Sequence, residues 1–195
     1  MKIMHLLMKR NSSNSISYLE SLPDKLIAKR DLALLRFQYI TGCRPGEVAA
    51  LMFDNLDFSG ELPSATIKAR HCKNNKFRTV YFNHQVQEDL ECWFDMLRDI
   101  GYTNKHIFPS LVNGKPGKPL QSEGIYRMLQ RRLKEIELPP RKAHALRHSS
   151  ALHAIAKGID IRKIRDQLGH SIIVVTAKYL RKADPDRGIA YKNWK

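Results

Sequence analysis

The sequence predicts a mainly α-helical fold with a small antiparallel β-hairpin. Three observations predict it. Apolar residues return at helical spacing through most of the 195-residue chain, which places them on one face of each helix. One stretch, between residues 65 and 82, breaks that spacing into two short strand-like runs around an Asn-Asn turn. Glycine or proline closes most of the helical patterns, where each stops a helix.

The elements follow in order. Asn11-Ser12-Ser13-Asn14-Ser15 is a polar break that reads as a loop or linker. Asp24 to Thr41 is helical, with Leu26, Ile27, Leu34, Leu35, Phe37 and Ile40 among its apolar positions, and Gly42 ends it. Pro45 opens the next helix, where its missing N–H costs nothing. That helix carries Val48, Ala49, Leu51 and Met52 and ends at Asp54-Asn55-Leu56-Asp57. Ala65 to His71 and Arg78 to Phe82 form the hairpin strands, with Asn74-Asn75 in the turn. His84 to Ile100 is helical (Val86, Leu90, Trp93, Phe94, Leu97) and closes at Gly101. Asn113 to Pro119 reads as a Gly/Pro/Lys loop, and Ser122 to Glu137 as a helix broken by Pro139-Pro140. Ala143 to Lys157 is a helix ending at Gly158; Asp160 caps a short one that stops at Gly169. Ser171 to Arg181 is the last helix, and a polar tail follows from Ala183. This organises the chain as an extension over 1–20, a principal domain over 21–182 and a tail over 183–195.

Composition narrows the partners. Thirty-four Lys and Arg against 19 Asp and Glu leave a formal charge of +15, which favours a polyanionic partner. Cys43, Cys72 and Cys92 are an odd set without CxxC spacing, arguing against a disulfide framework or a zinc knuckle and for a reducing cytoplasm. No apolar run is long enough to span a bilayer. Met1 to Met8 is mildly apolar, but Lys9-Arg10 follow it, the wrong order for a signal peptide.

Chemistry-bearing residues gather towards the C-terminus: His144 and Arg147, then Leu168-Gly169-His170, then Tyr179 nine residues on. Arginine and histidine suit a phosphate, and a tyrosine suits nucleophilic attack on one. His144 and Arg147, at i and i+3, share one face of a helix start. Upstream, Arg44 sits between two helices, where an N-terminus already attracts phosphate oxygens. Glu47, one turn on, can brace its guanidinium; an ordinary interhelical salt bridge explains the pair equally well. His144 and His148, at i and i+4, have metal-ligand spacing, but no HExxH glutamate or third ligand accompanies them. His148 and His153 read as structural or DNA-facing. The hairpin holds Lys68, Arg70, Lys73, Lys76 and Arg78 and no acid. Taken singly, His170 is a turn residue, Tyr179 a packing residue and Lys73 one cation among several; the ordered combination is what points to covalent chemistry on a nucleic-acid backbone.

That combination resembles the tyrosine recombinase (phage integrase) family over most of the chain, about Asp24 to Lys182. Thr41-Gly42-Cys43-Arg44-Pro45-Gly46-Glu47 looks like the first arginine motif with its acid. Cys72-Lys73-Asn74-Asn75-Lys76-Phe77-Arg78 looks like the hairpin carrying the catalytic lysine, which falls on Lys73, with Lys76 on the same turn. His144-Ala145-Leu146-Arg147-His148 looks like the HxLRH box. Leu168-Gly169-His170-Ser171 through Thr176 and Tyr179 looks like the LGH box and nucleophile.

The resemblance implies the family's catalytic-domain fold and a site-specific DNA recombinase that needs neither cofactor nor metal. It assigns Tyr179 as nucleophile, Arg44, Arg147 and His170 to charge on the phosphorane, Lys73 to the leaving oxygen, and His144 and Glu47 to support. Lys68, Arg70, Lys76, Arg78, Arg141, Lys142 and His148 are the expected DNA contacts. The expected partner is double-stranded DNA at recombination sites, with the chain a tetramer on DNA and a monomer in free solution. The expected location is the cytoplasm, at the nucleoid. Two departures stand out. About twenty residues precede the catalytic region, where most integrases have a further helical DNA-binding domain; the chain is a natural minimal recombinase or a catalytic fragment. Tyr81-Phe82 also stand where the family commonly has a proline. Ile189, Tyr191 and Trp194 are candidate anchors for a tail exchanged between protomers, or folded back in cis.

Two other functions fit the same fold. A DNA-binding accessory protein without recombination is disfavoured because every catalytic position holds a competent residue. A type IB topoisomerase shares the chemistry, but size and the LGH spacing favour the recombinase.

Overall fold

The helix at the centre of the fold, α1 (Lys25–Thr41), is buried on nearly every side, with Leu32, Ala33, Leu34, Leu35 and Phe37 at most 2% exposed. Its buried residues include the charges of Arg30 and Asp31, which pair with each other as a charge taken into a core must. Its ends are sealed locally: the Asp24 carboxylate accepts from the Ile27 N–H at 3.0 Å, and Gly42, at φ 65°, donates its N–H to the Gln38 carbonyl. The computed structural model describes residues 22, 24–68, 77–142 and 144–169.

A short helix, α2 (Pro45–Ala49), follows at once, and a 3-10 turn over Phe53–Asn55 leads into β1 (Leu56–Asp57). The helix is thus shorter than its apolar pattern suggested. The Asn55 side chain accepts from the Met52 N–H at 2.9 Å and turns the chain. β1, β2 (Ser64–Lys68) and β3 (Phe77–Tyr81) form an antiparallel sheet in that order, with Ser64 opposite Tyr81 and Lys68 opposite Phe77. Strand alternation sends Ala65, Ile67 and Val80 inward. Phe82, just past β3, meets Phe37 edge-on with ring centroids 5.4 Å apart.

The next helix, α3 (His84–Asp99), lays Val86, Leu90, Trp93 and Leu97 against α1, while Glu88, Glu91 and Asp95 face solvent. Burying each of those apolar side chains contributes roughly 1.5–3 kcal/mol. The Trp93 indole N–H donates to the Ile107 carbonyl at 2.8 Å, so its burial leaves no orphan donor.

The segment expected as a loop is a second hairpin, β4 (Pro109–Val112) and β5 (Lys115–Pro119). Asn113 and Gly114, at φ 50° and 71°, are its two-residue turn, the geometry that matches strand twist. From there α4 (Ser122–Glu135) returns to the core through Ile125, Met128, Leu129 and Leu133. α4 also delivers Arg132 to the fully buried Asp31 of α1.

Two helices finish the described fold. α5 (Ala145–Ala156) packs against α1, and α6 (Ile161–Leu168) packs against α5 and β3. Ala151, Ile164 and Leu168 form a small separate apolar cluster between them. The Asp160 side chain caps α6 by accepting from the Arg162 N–H at 2.7 Å, and Gly169, at φ 66°, ends it. The fold is therefore mainly helical with small antiparallel sheets. The N-terminal extension, the hairpin tip, the last expected helix and the tail lie outside the described residues. Among the described residues no helix is long and apolar enough to cross a membrane.

Candidate active site

The turn between α1 and α2 is built to hold Arg44 at a helix N-cap. Gly42 takes the left-handed conformation, Cys43 is fully buried, and Arg44 is extended (φ −70°, ψ 149°) ahead of Pro45. Glu47 closes the turn from below. Its Oε2 accepts from the Arg44 N–H at 2.8 Å, and its Oε1 accepts from the Arg44 guanidinium at 3.1 Å. The Arg44 side chain stays 42% exposed, so it is braced from one end and open at the other.

Glu47 serves two arginines. The Arg78 fork donates to both its oxygens, at 2.9 and 2.8 Å. Burial alone pushes the Glu47 carboxyl up, but Arg78 and the bonds from Arg44 outweigh it and hold the group below the usual carboxylate range. The same burial opposes charge on Arg78, and Glu47 more than compensates, raising its pKa. Arg78 was expected among the DNA contacts. It is instead drawn inward, its side chain 13% exposed, because it shares the inner face of β3 with Val80. That alternation, two residues apart, was the available signal.

Arg147 enters from the other side. It lies on the first turn of α5, is 4% exposed, and donates to the carbonyls of Gly42 at 2.8 Å and Leu168 at 2.7 Å. One guanidinium thus joins the end of α1 to the end of α6. Burial and the nearby positive charge of Arg44 lower its pKa to about 10, which still leaves it cationic at neutral pH. The Leu168 side chain packs directly on the Gly42 backbone there: a Cβ on Gly42 would sit 2.4 Å from Leu168 Cδ2.

His144, at the N-cap of α5, faces a cavity of about 640 Å³ that it shares with Arg44, Arg141, Lys142, Arg147 and His148. Among the described residues the rest of its lining, Pro140 and Ala145, brings no acid. Such a cavity suits an anion with several oxygens. Sequence reasoning missed Gln130, whose side chain exchanges two hydrogen bonds with the Arg141 backbone, at 2.6 and 3.1 Å, and so fixes the basic Arg141-Lys142 segment at the rim. It missed Gln167 as well, which pairs in the same two-way manner with the Tyr81 backbone at 3.1 and 2.7 Å. No local sequence pattern announces either.

Of the expected site residues, the structure brings Arg44, Glu47, His144 and Arg147 together. Arg141, Lys142 and His148 line the same cavity, and Lys68 is exposed at the end of β2. His153 bonds through Nδ1 to the Tyr39 hydroxyl at 2.8 Å between α5 and α1. Lys73, Arg70, Lys76, His170 and Tyr179 lie outside the described residues.

Comparison with known proteins adds an independent line. Tyrosine recombinase XerC of Bifidobacterium longum (strain DJO10A) is 30% identical over 158 residues, which cover 78% of this chain and 43% of that protein. XerC of Lacticaseibacillus casei (strain BL23) is 31% identical over 157 residues, 77% of this chain and 50% of that one. The chain spans about half the length of these curated relatives. Among solved structures, XerH site-specific recombinase bound to palindromic difH substrate superposes with a TM-score of 0.70 at 23% identity, covering 87% of this chain and 47% of that one. XerA recombinase gives 0.70 at 21% identity, covering 88% and 62%. The fold is that of tyrosine recombinase catalytic domains. The Phage integrase family profile matches residues 10–185, nearly the whole chain, and this chain belongs to that family.

Proposed function

We propose that the chain is the DNA-cleaving and rejoining part of a tyrosine-type site-specific recombinase. The observation that carries this reading is the convergence of Arg44, His144 and Arg147, from two distant parts of the sequence, on one cavity whose lining holds no acid among the described residues. The substrate is double-stranded DNA, and the scissile phosphodiester occupies that cavity.

Tyr179 attacks the phosphorus through its phenolic oxygen, forming a 3′-phosphotyrosyl bond and releasing the 5′-oxygen. His144 helps take the tyrosine proton, and Lys73 protonates the leaving 5′-oxygen. Arg44, Arg147 and His170 counter the charge that builds on the non-bridging oxygens. The phosphoester energy is kept in the covalent bond, so a 5′-hydroxyl from a second strand can reverse the step without ATP or a metal. Arg141, Lys142 and His148 hold the flanking backbone, with Lys68, Arg70 and Lys76 from the hairpin. Exchange between two sites needs four active tyrosines, so the working form is a tetramer on DNA; the free chain is a monomer, acting at the nucleoid in the cytoplasm.

The test is a nicked suicide substrate, which traps the adduct because the cleaved 5′ end diffuses away. The parent chain is expected to form a covalent DNA adduct mapped to Tyr179. Tyr179→Phe is expected to bind the same DNA and form none. Adducts from the phenylalanine variant would overturn the assignment.

A further inference from the structure

Arg78 makes several contacts at once, one of them from Nη2 to the buried Cys43 Sγ at 3.8 Å. Its fork grips both oxygens of Glu47. Its Nε donates to the Gln167 carbonyl at 3.2 Å, across 89 residues of sequence. Its stem lies directly under Gly169, where a Cβ would stand 2.7 Å from Arg78 Cδ and 2.8 Å from Nε. Glu47 in turn holds both the backbone N–H and the guanidinium of Arg44. The Gln167 side chain closes the arrangement by pairing with the Tyr81 backbone on the same strand as Arg78. One guanidinium therefore joins the first-arginine turn, the second strand of the lysine hairpin, and the end of α6 that precedes His170.

We propose that Arg78 is a positioning residue for the cleavage reaction, setting Arg44 through Glu47 and holding the α6 end in register with it. This rests on the recombinase reading above. The donors of Arg78 are directed to Glu47, the Gln167 carbonyl and Cys43 Sγ, so it acts by fixing where Arg44 points. Arginine is required because the arrangement uses three nitrogens of one plane. A lysine ammonium reaches Glu47 from a single point and cannot also span to the Gln167 carbonyl.

The test compares the full parent chain with Arg78→Lys, reading adduct formation at saturating DNA, affinity for the same DNA, and Tm. Small misplacement of a catalytic group costs up to about 100-fold in rate, so a loss of about 10- to 100-fold is expected, without comparable loss of affinity. The decisive comparison replaces the scissile phosphodiester with a methylphosphonate, which is uncharged and has less need of Arg44. The Arg78→Lys penalty is expected to shrink on that substrate; a merely structural role predicts an equal penalty on both. In a Glu47→Gln background the lysine substitution is expected to add little, because the carboxylate through which it acts has been neutralised. Where Arg78→Lys proves unstable, the near-isosteric Glu47→Gln carries the same comparison, with the same relief expected on the neutral substrate. Unchanged cleavage by Arg78→Lys, equal penalties on both substrates, or additive effects in the double variant each overturn the inference. If the parent chain itself forms no adduct, the recombinase reading falls and takes this inference with it.

Discussion

Arg147 Nη1 lies 2.8 Å from the carbonyl oxygen of Gly42, a residue 105 positions earlier in the chain. This hydrogen bond makes an expected phosphate ligand part of the frame that holds it. The second bond, to Leu168, extends that frame to the helix end preceding His170. Two of its donors are committed to carbonyls, so the plane of the guanidinium is set before any anion arrives.

Arg147→Lys is therefore expected to damage both stability and chemistry. Lysine has no fork, so at least one buried carbonyl loses its donor, at a cost of about 1–3 kcal/mol. Cleavage is expected to fall on the order of 10²–10³, the effect of removing one preorganised donor. Urea denaturation and suicide-substrate kinetics read the two separately. A variant with parent stability and lost cleavage would show that the carbonyl bonds do not hold the frame.

Gly42 and Gly101 share a positive φ, 65° and 68°, but differ in their surroundings. A Cβ on Gly42 collides with Leu168 at 2.4 Å, and one on Gly101 meets nothing within 4 Å. Gly101→Ala is expected to cost about 1–2 kcal/mol, from backbone strain alone. Gly42→Ala adds an overpacking term of about 1–3 kcal/mol. Equal losses for the two variants in denaturant titrations would mean that α6 gives way freely at Leu168.

The pH dependence of Glu47 has a definite sign. Burial pushes its pKa up, Arg78 and Arg44 push it further down, and the net folded value lies below the ordinary 4.5. A depressed carboxylate pKa contributes stability above the unfolded value and loses it as the pH falls through the folded one. The stability gap between the parent chain and Glu47→Gln is thus expected to be constant from neutral pH down to about 5 and to narrow in more acid solution. Chemical denaturation across that range measures it. A gap that widens in acid would mean that burial outweighs the arginines.

What was legible in the sequence follows from the range of the forces involved. α1 could be read to its ends because the Asp24 cap and the Gly42 stop act within one turn. α6 was legible for the same reason, through Asp160 and Gly169. β1 was not, since two residues become a strand only by pairing with Ala65 and Ser64. β4 and β5 were hidden by Pro116, Pro119 and two lysines, although Asn113-Gly114 between them is a strong hairpin turn. At the site, residue types and order pointed to Arg44, His144 and Arg147. How they are held did not show, because the Arg78–Glu47 pair joins residues 31 apart and the Arg147 bonds go to backbone carbonyls, which leave no mark in sequence.

The same limit applies to the charge buried deepest in the fold. Asp31 is fully buried, and its carboxylate accepts from Arg30 at 2.9 and 2.6 Å and from Arg132 of α4 at 2.8 Å. Arg30 also reaches the Pro109 carbonyl at 3.4 Å, so the cluster joins α1, α4 and the start of β4. Asp31→Asn keeps the shape but removes the charge and turns one acceptor into a donor facing guanidinium N–H groups. Breaking a buried ion pair by neutralising one partner costs about 3–5 kcal/mol. The exposed Arg98–Asp95 pair is the natural control: Arg98→Ala is expected to cost less than about 1 kcal/mol, because solvent screens that contact. Measured side by side in urea, the two substitutions are expected to differ several-fold. A small loss for Asp31→Asn would mean that apolar contacts of Ile125, Met128, Leu129 and Leu133 alone hold α4 in place. A large loss would make Asp31 the electrostatic pin that keeps α4, and through Gln130 the Arg141 rim of the cavity, registered on the central helix.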